Sequence, residues 1–151
     1  MCYLNVELTG LAGVPQNINL TQDARKLRYH LKFLTERLAA NQALKSPACK
    51  LCCAPVESLG HVLTGCLATA ETRRQILPDL LNTVSQVKPS CAILSSQGDH
   101  TTQFILDCTS LNLPAPLRIP THNPRVSDVF AISRDWCYAI GRERQRLLKH
   151  I

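Results

Sequence analysis

A cluster of cysteine and histidine residues between positions 49 and 66 constrains this chain more than any other feature. The pattern is C-x2-C-x8-H-x4-C, formed by Cys49, Cys52, His61 and Cys66. Three thiolates and one imidazole are donors that structural zinc sites use, and a C-x2-C turn presents two sulfurs to one metal ion. We therefore predict one Zn²⁺ ion held by these four side chains. Because four protein donors leave no open coordination position, such an ion supports the fold and carries out no chemistry.

Three alternatives to this ligand set remain open in the sequence. Cys53 directly follows Cys52 and could replace it, although the two-residue gap from Cys49 favours Cys52. The chain has eight cysteines, an even number that would also allow disulfides, but they are far sparser than in small secreted domains and the N-terminus lacks the basic start of a secretory signal. Finally, some of the cysteines are ordinary core residues, because cysteine is among the most buried residue types.

Composition limits the class of protein. A chain of 151 residues with 45% hydrophobic residues can form one domain or two small subdomains with a modest core. The net charge of +6 favours polyanionic partners, although many proteins that bind none share it. No apolar stretch approaches the roughly 18 residues that a membrane span needs. We expect a soluble, intracellular protein, nuclear or cytoplasmic, whose thiols stay reduced.

The first helix is predicted from Thr21 to about Ala43, where apolar residues recur every three or four positions. The opposite face is cationic and lies just before the metal loop. This face is either an ordinary solvated surface or a phosphate-contacting one. For the second case, the predicted nucleic-acid contacts from the helix, the loop and the residues after it are Arg25, Arg28, Lys32, Lys50, Arg73 and Arg74.

The rest of the chain also favours helices. Ser58 can cap a short turn that carries His61, and Thr69 can cap a second helix that Pro78 should kink or restart. A short apolar run at 104–106 follows, and prolines make 112–120 an extended surface connector. The final helix should start with Asn123 as cap and Pro124 as its first residue.

The predicted fold class is therefore mainly α: a small helical domain organised around a CCHC zinc loop, with an extended proline-containing connector and an amphipathic C-terminal helix. The predicted division of the chain is an irregular segment at 1–20, a helix with the zinc-binding region at 21–87, and a helical tail at 88–151.

A resemblance to a known family rests on the first helix and the metal cluster together. The run LRYHLKFLT at 27–35 is followed by SPACKLC at 46–52, Glu57, HVL at 61–63, Cys66, and Arg73 with Ile76-Leu77. This order resembles the zinc-binding region that follows the polymerase in LINE-type (non-LTR) retrotransposon reverse transcriptases. The segment SRDWCYAI at 133–140 also resembles the tail found after this element in some such polyproteins.

Two departures of the chain from this family are informative. Family members often have glycine after the second cysteine, where a tight turn folds backbone amides toward the sulfur, and here Cys53-Ala54 stands instead. The chain also has no adjacent pair of aspartates, so the paired-carboxylate metal site of a polymerase is absent. By resemblance, this is the tail of a reverse transcriptase without its catalytic domain. We therefore expect no enzymatic activity.

Two classes of function are consistent with these patterns. The first is a zinc-dependent module that binds RNA or single-stranded DNA through its cationic residues. The second is a structural or protein-interaction role, in which zinc holds helices whose exposed faces contact a protein partner. A non-functional retroelement fragment is a third interpretation. No membrane partner is expected.

Overall fold

The structure is a computed structural model that describes the backbone of residues 22–34, 48–91 and 98–151, and the side chains of 24–31, 48–91 and 100–151. Within these ranges the chain forms α-helices and short helical turns and no β-strand, which confirms the mainly α prediction. The helices are α1 (Gln22–Leu34), α2 (Ala70–Val87), α3 (Gly98–Leu106) and α4 (Val126–Leu148). The segment 1–20, the Lys32 side chain and the predicted continuation of the first helix beyond Leu34 lie outside the described residues.

Helix α4 lies at the centre of the fold and contacts α1, α2, α3 and the turns of the metal loop. Its buried residues recur every three or four positions, and this spacing places them along one side of a helix. The apolar members are Val129, Phe130, Trp136, Cys137 and Ile140. They pack into one core with buried residues of α2, α3 and the loop, including Leu63, Leu80, Phe104 and Ile105. None of the described helices is both long and apolar enough to cross a membrane.

The start of α4 differs from the prediction. Asn123 does not cap the helix directly; its side-chain oxygen accepts a hydrogen bond from the Arg125 amide at 2.9 Å, and its carbonyl accepts one from Val126 at 3.1 Å. These bonds form a separate turn, so Pro124 lies in the turn and the helix begins at Val126. Asparagine favours such turns because its side chain can bond to the backbone two residues further on.

Helix α2 is continuous through Pro78, so the predicted restart does not occur. Proline lacks the N–H that would bond to the carbonyl four residues earlier. Pro78 lies on the exposed side of α2, where water can satisfy that carbonyl. On the opposite side, buried Leu80 and Val84 hold the helix against the core.

The segment 112–120 is partly a core element, which corrects the prediction of a purely surface connector. A short 3-10 turn spans Ala115–Leu117, and Leu113, Leu117 and Ile119 are buried. The Ile119 amide donates to the Cys108 carbonyl at 2.8 Å. The prolines prevent a regular helix here, but the leucine and isoleucine side chains of the segment still enter the core.

Contacts of His30 and Tyr29 are among those that hold helix α1 against the other helices. The imidazole of His30 is buried, and its Nε2 lies 3.2 Å from the carbonyl oxygen of Leu106. That carbonyl belongs to the last turn of α3 and has no partner within the helix. On the α4 side, Tyr29 covers Gly141 and its hydroxyl donates to Gln145 Oε1 at 2.6 Å. These contacts fix the orientation of α1, which carries part of the cationic surface.

Candidate metal centre

The first two cysteines of the cluster lie on a tight turn between 48 and 54. The Cys53 amide donates to the Cys49 carbonyl at 2.9 Å, and the Cys49 amide donates to the Ala54 carbonyl at 2.8 Å. These two bonds bring the side chains of Cys49 and Cys52 to the same side of the loop, which is the arrangement that the C-x2-C spacing predicts.

His61 and Cys66 are positioned by a π-helical turn, His61–Gly65. The Ser58 hydroxyl accepts a hydrogen bond from the His61 amide at 3.0 Å, which confirms the predicted capping role of Ser58. The Cys66 amide donates to the His61 carbonyl at 2.7 Å and closes the turn. Val62 and Leu63 are buried in the core. Their packing holds in place the turn that positions His61 and Cys66.

The four predicted ligands converge on one point. The donor atoms of Cys49, Cys52, His61 and Cys66 all lie within 4.8 Å of one another. Cys49 Sγ is 3.9 Å from Cys66 Sγ, and Cys52 Sγ is 3.3 Å from His61 Nε2. Around a tetrahedral zinc ion, the usual bond lengths give sulfur–sulfur separations of about 3.8 Å and sulfur–nitrogen separations of about 3.5 Å. The arrangement therefore fits a tetrahedral metal ion.

The structure distinguishes Cys52 from Cys53. The Cys52 thiol lies inside the cluster, whereas Cys53 is exposed and does not belong to it. Cys53 has a φ of 61°, which is the left-handed conformation that glycine adopts most easily. The turn therefore places a residue with a β-carbon at a position where glycine would be less strained.

Hydrogen bonds around the sulfurs influence their protonation. Burial alone would raise the pKa of the Cys52 thiol, but bonds from the Ala54 backbone, the Cys49 thiol and the Leu67 backbone outweigh burial and lower that pKa below its usual value. Burial raises the pKa of the Cys66 thiol to about 11, although a hydrogen bond from the Ala68 backbone acts to lower that pKa. Backbone donors to sulfur favour the thiolate, which is the form that binds metal. Metal binding at neutral pH must still release protons from this site.

Two buried polar contacts connect the metal loop to α4. The carboxylate of Glu57 forms a salt bridge with the guanidinium of Arg144, and both side chains are buried. The indole N–H of Trp136 donates to the Leu63 carbonyl at 3.1 Å. Removing one partner of a buried ion pair typically costs about 3–5 kcal/mol, because the other charge is left uncompensated. The position of the loop is thus coupled to the central helix of the fold.

Arg73 also belongs to the support of the cluster. Its Nη1 donates to Thr69 Oγ1 at 2.8 Å, and the Thr69 hydroxyl donates to the Cys66 carbonyl at 3.3 Å. Burial lowers the pKa of the Arg73 guanidinium, and its proximity to Cys66 opposes that effect. Arg73 is therefore half-buried beside the candidate metal site, although the sequence suggested a contact to nucleic acid.

The other predicted nucleic-acid contacts lie in different environments. Arg25, Arg28 and Lys50 are exposed. Arg74 is exposed and forms an ion pair with Glu71, one helical turn away. Lys32 belongs to α1, but its side chain lies outside the described residues.

A cationic groove between α1, α2 and α4 was missed by the sequence analysis, which predicted nucleic-acid contacts only around the first helix and the metal loop. The groove has a volume of about 660 Å³ and is lined by residues of all three helices. The sequence signal was available in α4 and the residue after it, where an aromatic residue and three cations are spaced by three or four positions: Tyr138, Arg142, Arg146 and Lys149.

Comparison of the chain with protein-family models, curated proteins and solved structures finds no match. The functional interpretation therefore rests on the residues and geometry described above.

Proposed function

We propose that this protein is a zinc-binding helical module that binds RNA or single-stranded DNA, and that the metal ion has a structural role. The observation that carries the proposal is the convergence of Cys49, Cys52, His61 and Cys66 within 4.8 Å on one loop. Three thiolates and one imidazole in tetrahedral arrangement favour zinc over the harder divalent ions, which prefer oxygen ligands.

A structural role follows from the donor set and its surroundings. Four protein ligands would complete the coordination shell of the ion and leave no position for a substrate. A divalent ion with three thiolates would carry one net negative charge, and the half-buried Arg73 beside Cys66 would offset it. The ion would hold together a loop that has little regular secondary structure but contributes Val62 and Leu63 to the core.

Three observations support nucleic-acid binding. The chain carries a net charge of +6. The exposed cations Arg25, Arg28 and Lys50 form no ion pair with a carboxylate among the described residues. The resemblance of 24–81 to the zinc region after a retrotransposon polymerase points to the same class of ligand. Unpaired cations bind phosphates and release counterions, which favours association.

We further propose that the chain is not a polymerase, because it contains no adjacent aspartates that could form a two-metal site. On this proposal, the purified protein extends no primer on an RNA template in the presence of Mg²⁺ or Mn²⁺. Template-directed synthesis that copurifies with the protein would contradict it.

The metal assignment is tested by elemental analysis of the purified chain and of two matched variants. We expect one zinc per chain in the wild type. Cys52→Ser should lose the metal, whereas Cys53→Ser, which changes the neighbouring thiol in the same way, should retain it. Absence of zinc from the wild type, or retention by Cys52→Ser with loss from Cys53→Ser, would contradict the assignment.

Nucleic-acid binding is tested by fluorescence anisotropy of the metal-loaded wild type with a short labelled oligouridine and oligothymidine. We expect an affinity that falls with salt, with a log–log slope of about 0.7 for each phosphate contacted. Chelation of the metal should weaken binding because the loop loses its order. No binding by the metal-loaded chain, even at low salt, would refute this part of the proposal.

One observation favours protein interaction as the second candidate function. Val56 lies between Cys52 and His61, and Leu67 directly follows Cys66. They are 62% and 77% exposed within the described part of the chain. Exposed apolar side chains beside an ordered metal loop could contact another protein. This alternative would gain support if the metal-loaded chain failed to bind nucleic acid, while paired polar substitutions of these two residues abolished its association with a protein.

A further inference from the structure

The groove between α1, α2 and α4 is strongly cationic. Its charged residues are Arg25 from α1 and Arg142, Glu143, Arg146 and Lys149 from α4 and the residue after it. Glu143 is the single carboxylate in this lining and pairs with Arg146, its Oε1 lying 2.7 Å from Arg146 Nη2. The remaining cations give the groove a net positive charge. None of the four candidate metal ligands lines it.

The same groove contains two tyrosines of a chain that has only three. The rings of Tyr29 and Tyr138 meet edge to face, with centroids 5.4 Å apart and planes at 79°. Tyr29 is held by its hydrogen bond to Gln145. Tyr138 is half-buried, and the Arg142 guanidinium lies 6.0 Å from its ring centroid. The groove thus combines fixed aromatic rings with cationic side chains.

The cations of α4 form a row. Residues spaced by three or four positions lie on one side of a helix, and α4 rises about 1.5 Å per residue. Positions 138 to 149 therefore extend over roughly 16 Å along the helix axis. A row of charges matches a ligand with repeated negative charges better than a ligand with one.

We propose that this groove binds a single-stranded nucleic acid, with its phosphates on Arg142, Arg146, Lys149 and Arg25 and one base stacked against Tyr138. The inference rests on the proposed function and deepens it by assigning the binding site. It also moves the site away from Arg73 and Arg74, which the sequence had favoured.

The chemistry of the groove favours a single strand over other polyanions. A groove of about 660 Å³ is in the range of sites for small ligands. In a duplex the bases are stacked on each other, whereas an unpaired base can place its face on an aromatic ring. An acidic peptide would engage the cations but would make no comparable use of the two tyrosines.

The charge contribution is tested with a matched pair of variants in the metal-loaded protein, using anisotropy with a short labelled oligouridine. Arg146→Gln removes a groove cation that forms an ion pair with Glu143, three residues earlier in the chain. Arg125→Gln removes an equally paired cation at the other end of α4, outside the groove. We expect Arg146→Gln to reduce the salt slope by about 0.7 and Arg125→Gln to leave it unchanged.

Stacking is tested with a second pair at one position. Tyr138→Leu removes the ring, and loss of one base–aromatic stack should weaken binding roughly 5- to 150-fold. Tyr138→Phe retains the ring and loses only the hydroxyl, which accepts a bond of 3.3 Å from Arg142; it should bind like the wild type. Circular dichroism and thermal unfolding of each variant establish that the fold is retained.

The outcomes separate this inference from the proposed function. If the wild type binds but Arg146→Gln matches Arg125→Gln and Tyr138→Leu binds normally, the groove is not the site, although nucleic-acid binding stands. If the wild type does not bind, the proposed function fails and the inference fails with it. If polyglutamate competes as well as the oligonucleotide and Tyr138→Leu has no effect, the groove is a site for acidic peptides and the inference is wrong.

Discussion

Cys53 adopts a left-handed backbone conformation that is unfavourable for a residue with a β-carbon. Among the described residues, Cys53 is the non-glycine residue with a positive φ, at 61°. In this region the β-carbon approaches the following carbonyl oxygen, which costs an L-residue about 1–2 kcal/mol. The turn persists because the hydrogen bonds between Cys49, Cys53 and Ala54 hold it in place.

This strain leads to a prediction about stability. Cys53→Gly should stabilise the metal-loaded protein by roughly 0.5 kcal/mol, since relief of strain exceeds the larger entropy that glycine loses on folding. Denaturant unfolding measures the change. Cys53→Ala is the control: it removes the thiol but keeps the β-carbon, so its stability should stay close to that of the wild type. Equal stabilisation by alanine and glycine would show that strain at this residue is not the cause.

At the scale of secondary-structure elements, the close approach of α1 and α4 depends on Gly141. A β-carbon at this position would lie 2.4 Å from Cδ1 and 2.7 Å from Cε1 of Tyr29. The tyrosine ring has little freedom to move because its hydroxyl bonds to Gln145 and its edge meets Tyr138. The glycine therefore permits the contact that orders the wall of the groove.

Gly141→Ala should consequently destabilise the protein by about 1–3 kcal/mol through overpacking, although alanine is the better helix former. A double-mutant cycle isolates the cause. In the Tyr29→Ala background, where the clash is absent, the same substitution should stabilise the protein by up to about 1 kcal/mol. Thermal and denaturant unfolding give both values. Destabilisation of the same size in both backgrounds would contradict the proposed clash.

At the scale of the whole molecule, burial of His30 couples stability to pH. Desolvation, with a smaller contribution from the nearby charge of Arg134, lowers the pKa of His30 from 6.5 to about 4. The hydrogen bond to the Leu106 carbonyl has the opposite effect and raises this pKa. Between these two values the unfolded chain binds a proton that the folded protein does not. The stability contributed by neutral His30 is therefore complete above pH 6.5 and is lost as the pH falls to about 4.

The loss over this interval should amount to about 3 kcal/mol. Unfolding of the metal-loaded wild type and of His30→Gln is compared across this pH range, because protonation of the metal ligands affects both proteins and cancels in the difference. The wild type should lose more stability than His30→Gln as the pH falls. Parallel curves would show that His30 is not protonated preferentially in the unfolded state.

Local patterns determined much of what the sequence predicted correctly. The C-x2-C-x8-H-x4-C spacing identified the four side chains that converge, and the predicted amphipathic C-terminal helix corresponds to α4. The Ser58 cap was also correct. These features depend on residues close together in the chain, so backbone geometry and helical periodicity are sufficient to predict them.

Other features were decided only by contacts between distant segments. The buried pair of Glu57 with Arg144, the half-buried position of Arg73 beside Cys66, and the entry of Leu113 and Ile119 into the core were not apparent from their neighbours in sequence. The groove combines Arg25 and Tyr29 with residues more than a hundred positions later. Periodicity shows which side of each helix is apolar or cationic, but the packing of three helices around α4 determines which of those faces meet.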